Sequence, residues 1–174
     1  MEYVYQLPST KARTPEPHTL DISELYVRLI EAVKCRPGDL LSGQATATDT
    51  DAKSGLTFLT EPWCHTRVGH VQLKPDAYIE VGGVSYFLEN DTSVEWESQL
   101  TAKMRRYVQA IDSGHWPEGR PFPLVLWIVP DAARKAYLEN IISKLKEESL
   151  FRVVLFSDAA ERVVGNGRQG ARMA

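Results

Sequence analysis

Asp76, Glu89, Asp91 and Lys103 are the residues of this chain whose types and spacing could gather a divalent cation, with the lysine leaning over three carboxylates. All four lie within residues 74–107, KPDAYIEVGGVSYFLENDTSVEWESQLTAKMRRY. Three carboxylates drawn into one patch repel each other unless a cation, a shared proton or free water relieves them. Magnesium and manganese favour oxygen ligands, often one or two carboxylates completed by water and substrate phosphate. A neighbouring lysine can offset charge that grows on a phosphate as it is attacked. Arg105 and Arg106 follow Lys103 and suit sequence-independent contact with a nucleic-acid backbone. The competing reading of the same residues is solvated charge at a strand end and an ordinary surface lysine.

These side chains meet only if the intervening elements bring them together. Residues 77–81 and 84–89 are rich in β-branched and aromatic types, and Gly82-Gly83 between them suits a two-residue hairpin turn. That turn sets Val81 opposite Val84, Ile79 opposite Tyr86, Ala77 opposite Leu88 and Asp76 opposite Glu89. Directly opposed β-carbons lie about 4.5–5.5 Å apart. Alternation then gives one core face with Ala77, Ile79, Val81, Val84, Tyr86 and Leu88. The other face carries Asp76, Tyr78, Glu80, Ser85, Phe87, Glu89 and Asp91, with the three acids at the open end. Thr92 and Glu95 fit a capping box that starts a helix near Ser93. Leu100, Met104, Tyr107, Val108 and Ile111 form its apolar stripe, with Lys103 on the flank one turn before Tyr107.

The string PDA–x(11)–ENDT–x(10)–K–x(3)–Y resembles the nuclease-like domain of the replication-relaxation family of plasmids and other mobile elements. The resemblance implies a PD-(D/E)xK, or restriction-endonuclease-like, fold. It also implies DNA as substrate, a magnesium or manganese cofactor, and replication or mobilisation proteins as further partners. Pro75-Asp76 would supply the Pro-Asp of the motif and Glu89 its second acid. Asp91 stands where the usual lysine would be, and Lys103 on the next helix would replace it. Asp76, Glu89 and Asp91 are then the implied metal ligands. Catalysis falls to these three with Lys103, and DNA contact to Lys103, Arg105 and Arg106. The missing lysine leaves two functions open: a metal-dependent endonuclease or nicking domain, and a nuclease-derived module that only binds DNA or protein. The family often places an acid of the first helix at the metal and a histidine before that helix. Glu24 and His18 hold those positions, although the helical wheel sets Glu24 opposite the apolar stripe.

The remaining chain frames this centre. Its 174 residues, 43% hydrophobic and 25% charged, suit one globular domain with a sizeable core. A net charge of −3 gives no global basic field, so nucleic acid would have to be met by local basic patches. The sequence contains no apolar run long enough to span a bilayer, its first 17 residues show no apolar core typical of a signal peptide, and two cysteines make no disulfide framework. A cytoplasmic setting is expected. Residues 1–17 read as an extended arm, 18–164 as the nuclease-like domain, and 165–174 as a disordered tail. A first helix is expected over 21–35, capped by Asp21. A strand follows over 40–48, then a short apolar run at 56–59. Cys64, His65 and His70, with or without Cys35, match no common zinc spacing. Residues 122–129 read as a central strand buried on both faces, 131–148 as a helix and 150–156 as a further strand. The expected fold is α/β with a central mixed sheet flanked by helices, in the order α-β-β-β-α-β-α-β.

Overall fold

A computed structural model describes residues 17–34 and 55–170. The strand expected over 40–48, and Cys35, lie outside these residues. The chain opens with helix α1 (Pro17–Lys34), then strand β1 (Leu56–Thr60) and a small hairpin of β2 (Thr66–Val68) and β3 (Val71–Leu73). The central hairpin is β4 (Ala77–Val81) and β5 (Val84–Asn90). Helix α2 (Glu97–Asp112), strand β6 (Leu124–Val129), helix α3 (Ala132–Ile142), strand β7 (Phe151–Leu155) and helix α4 (Ala159–Gly170) complete the described residues.

Five strands form one mixed sheet in the order β1-β4-β5-β6-β7. The β4–β5 register is the expected one: Val81 pairs with Val84, Ile79 with Tyr86 and Ala77 with Leu88. Gly82 and Gly83, with φ of 57° and 79°, both take the left-handed conformation this turn demands. The apolar run at 56–59 is a true strand, pairing antiparallel with β4 from Leu56↔Val81 to Thr60↔Ala77. Strands β5, β6 and β7 are parallel. Parallel neighbours need a crossover, so α2 and α3 must traverse the sheet between them.

Both faces of the sheet are covered, as expected of a central sheet flanked by helices. On one side, Ala77, Ile79, Val81, Tyr86, Leu88, Leu126 and Ile128 pack with α1 and α4. On the other, Phe87, Val125, Trp127 and Val129 pack under Leu100, Met104 and Tyr107 of α2 and Leu138 and Ile141 of α3. The continuous apolar run of β6 reflects this double burial.

Several element ends differ from expectation. Helix α1 begins at Pro17, so Asp21 lies within the helix and does not cap it. Helix α2 begins at Glu97, one turn later than the Thr92–Glu95 pattern implied. Its entry is held instead by Gln99, whose Oε1 accepts the Trp96 N–H at 3.0 Å. Helix α3 is capped by Asp131 as expected, but it stops at Ile142, and turns lead into β7. Helix α4 carries the chain through residue 170, anchored by buried Ala159, Ala160, Val163 and Val164, where a disordered tail was expected from 165.

Candidate active site

The hairpin closes at Val81–Val84, and the charged groups gather at its open end. Asp76 immediately precedes β4, and its N–H donates to the Leu88 carbonyl at 2.9 Å. Its carboxylate Oδ2 accepts the Asn90 N–H at 2.7 Å. These bonds replace the simple Asp76–Glu89 opposition that the register implied. The Asn90 side chain in turn donates through Nδ2 to Oδ2 of Asp21 on α1, at 3.1 Å. Asp21, Leu25 and Leu29 follow one another at four-residue spacing, and the two leucines are fully buried. That spacing was the available sign that Asp21, and not Glu24, is the acid of α1 turned toward the sheet. Glu24 is exposed and pairs with Arg28 at 2.9 Å. His18 belongs to α1, and its side chain lies outside those described.

Glu89 is 1% exposed and shares the α2 face with Phe87. The crossover lays α2 over this face, and two residues one helical turn apart bracket the carboxylate. Lys103 Nζ lies 2.7 Å from Oε2, and the Tyr107 hydroxyl donates a short hydrogen bond to Oε1. Among the described residues Oε2 meets no other donor. The Lys103 ammonium also stands 3.7 Å from Glu95 and 5.5 Å from the centre of the Trp127 ring. Trp127 lies beside Glu89 on β6, and its buried indole N–H has no acceptor among the described residues.

Burial dominates the electrostatics of this cluster. It pushes the Glu89 carboxyl up to about 7, against the pull of Lys103 and with a further push from Asp76. Burial also disfavours the Lys103 charge, but Glu89, Asp76 and Glu95 together outweigh it and hold the ammonium above its ordinary range. Tyr107 is raised well above the usual phenol by burial and the adjacent Glu89 charge. Buried Cys64 donates to the Pro75 carbonyl at 3.0 Å and is pushed up to about 12 by burial. It therefore stays a thiol and serves to pin the residue before Asp76.

A pH dependence of stability follows. The folded Glu89 pKa lies above the unfolded value of 4.5, so its protonation favours folding. That contribution is complete below about pH 4.5 and is lost as pH rises through about 7. Lys103 adds no slope in this window, because its raised value acts only above the ordinary lysine range. Urea unfolding at pH 5 and pH 8 should show a fall of at most about 3 kcal/mol from this group. Glu89→Gln should flatten the slope; an unchanged slope in that variant would assign it elsewhere.

Asp91 leaves the expected patch. It is 4% exposed, and both its oxygens are engaged. Arg134 Nε donates to Oδ2 at 2.7 Å and Nη2 to Oδ1 at 3.1 Å, while the Ser93 N–H also donates to Oδ1 at 2.8 Å. Arg134 Nη2 reaches the Glu95 carbonyl as well, at 3.0 Å. Asp91 thus ties the end of β5 to the first turn of α3. Among the described residues no group of three His, Cys, Asp or Glu side chains is arranged to hold a metal ion. The donor set that remains is Asp76 and Glu89. Of these two, Glu89 meets only the Lys103 ammonium at Oε2 among the described residues, and Asp76 adds to the negative charge around it. Arg105 and Arg106 are exposed on α2. His65 pairs with Glu61 at 2.9 Å. A cleft of about 690 Å³ lined by Glu139, Lys146, Phe151 and Arg152 lies at the start of β7, two strands across the sheet from β5 and Glu89.

A family model described as replication-relaxation matches residues 5–125, well over half of the chain. The chain belongs to the replication-relaxation family. The match spans Asp21, Asp76, Glu89, Lys103 and Tyr107, and it ends before Arg134. Membership points to a role in plasmid or mobile-element replication, in association with DNA or replication proteins. No curated protein and no solved structure matches the chain. Among the described residues no helix is long and apolar enough to cross a membrane.

Proposed function

We propose that this replication-relaxation domain is a magnesium- or manganese-dependent phosphodiesterase that nicks plasmid or mobile-element DNA, built on a restriction-endonuclease-like core. One observation carries the reading: buried Glu89 is paired with Lys103 at the sheet end where Asp76 sits. The order of parts agrees with the PD-(D/E)xK pattern. A Pro-Asp heads one strand, an acid ends the next, and a basic residue projects from the following helix. Perturbed, coupled ionisable groups of this kind concentrate at functional sites.

Asp76 and Glu89 would hold the ion, which when bound supplies Lewis-acid polarisation of the phosphate and an activated water. Tyr107 fixes the Glu89 carboxylate by its hydrogen bond. Lys103, with a side chain 29% exposed, links the buried acid to solvent. Its ammonium can swing from Glu89 to the phosphate and offset charge as the bond breaks. Arg105 and Arg106 meet the DNA backbone and make binding salt-sensitive.

A second reading has its own observation. Tyr107 and Lys103 occupy both oxygens of Glu89, and Arg134 takes Asp91. A closed site of this kind suits a scaffold that binds DNA or a replication protein without cutting. Incubation with supercoiled plasmid and linear single-stranded DNA in magnesium, manganese or EDTA separates the two. Nicking that needs metal and vanishes in Asp76→Ala supports hydrolysis. Intact folding and DNA binding with no cleavage in any metal leaves the scaffold.

A further inference from the structure

Two tryptophans at the site's end of the sheet have no part in the core: Trp63 is 79% exposed and Trp96 is 77% exposed. Topology places both beside the carboxylates. Strand β1 ends at Thr60, opposite Ala77, so the turn carrying Trp63 leaves the sheet where Asp76 enters it. Cys64, next to Trp63, is bonded to the carbonyl of Pro75, next to Asp76. Trp96 ends the loop that leaves β5 after Glu89, and its neighbour Glu95 contacts Lys103. The loop is held firmly, since Arg134 grips the Glu95 carbonyl and Gln99 the Trp96 N–H. Exposed Lys74 adjoins Pro75, and exposed Arg67 lies on β2.

A bare indole exposed to water is costly, and an aromatic beside cationic side chains is the combination that holds unpaired nucleotides. Bases stack on the ring while lysine and arginine follow the phosphates. In a duplex the base faces are already stacked and cannot engage an indole. We propose that Trp63 and Trp96 stack unpaired bases on either side of the Asp76–Glu89–Lys103 centre, so that the substrate is single-stranded or locally melted DNA. This rests on the reading of that centre as a phosphodiesterase, but the binding step itself needs no hydrolysis.

The test uses the full chain in EDTA at low salt, with fluorescein-labelled oligothymidylate and a mixed-sequence duplex of equal length, read by anisotropy. The single strand should bind more tightly. Trp63→Ala and Trp96→Ala should each weaken it about 5- to 100-fold, as loss of one stacked base implies. Trp63→Phe and Trp96→Phe should keep most of the affinity, and duplex binding should change little in any variant. Both residues are exposed, so thermal melting should match the parent and exclude misfolding. Undiminished single-strand binding in both alanine variants overturns the inference, as does a preference for duplex. Metal-dependent nicking with undiminished binding would remove the stacking role and keep the hydrolase. Weakened binding with no cleavage in any metal would keep the stacking role and remove the hydrolase.

Discussion

Lys103→Ala should lower metal-dependent nicking about 100- to 1000-fold, the loss typical when one preorganised electrostatic contact to a transition state is removed. Activity of the parent should rise with pH through about 7, because Glu89 must ionise before it can serve as a ligand. The lysine also compensates a buried charge 2.7 Å away, so a purely structural role predicts lost activity too. Stability across pH separates the two roles. Without its partner, Glu89 stays protonated to higher pH, so Lys103→Ala should be only mildly destabilised at pH 5. At pH 8 the penalty should approach the 3–5 kcal/mol, roughly, that breaking a buried pair costs. Pairing Lys103→Met with Glu89→Gln should recover the stability, since neither side chain then carries a charge. Activity should stay absent in that double variant if the acid and the lysine take part in chemistry. A Lys103→Ala protein that is folded at pH 8 and nicks at the parent rate would end the proposed role for this residue.

The sequence discloses local geometry here far better than long-range pairing. The hairpin register was legible because Gly82-Gly83 allows only a tight two-residue turn, which fixes every opposite pair up to Ala77–Leu88. Beyond that pair the strand rule stops applying, and Asp76 turns to Leu88 and Asn90. The stripe of α2 was legible from its spacing, and so was the position of Lys103 one turn before Tyr107. What the spacing could not reveal is that the crossover presses this stripe onto the hairpin's second face. That contact buries Glu89 and makes Tyr107 its partner. The misplaced start of α2 has a local origin. Thr92 and Glu95 match a capping pattern, yet Ser93 adopts a φ of 67° because its N–H turns back to Asp91. Trp63 and Trp96 carried no signal at all, because exposure is a property of the folded surface and not of residue type. The partner of Asp91 was hidden for the most physical reason: its arginine lies 43 residues away on a helix reached only through β6.

Arg134→Ala should therefore be the most destabilising single change outside the apolar core. It strands a carboxylate that is 4% exposed and strips a donor from the Glu95 carbonyl. Breaking a buried pair from one side costs about 3–5 kcal/mol, which for a domain of this size lowers Tm by roughly 6–20 °C. Asp91→Asn alone should cost less, because an amide keeps a hydrogen bond to the guanidinium. Arg134→Met combined with Asp91→Leu should recover much of the loss, as apolar replacement of a buried ion pair often does. The same variants decide whether Asp91 belongs to the chemistry. A metal ligand cannot be replaced by leucine, so a stable double variant that nicks plasmid at the parent rate makes Asp91 a brace. A stable double variant without activity would return it to the ligand set with Asp76 and Glu89. The brace reading is favoured by geometry, since Arg134 and the Ser93 N–H already take both oxygens of the carboxylate. The tie also reaches function through the loop. Release of Glu95 frees the segment that carries Trp96, so Arg134→Ala should weaken single-strand binding even below its own melting temperature.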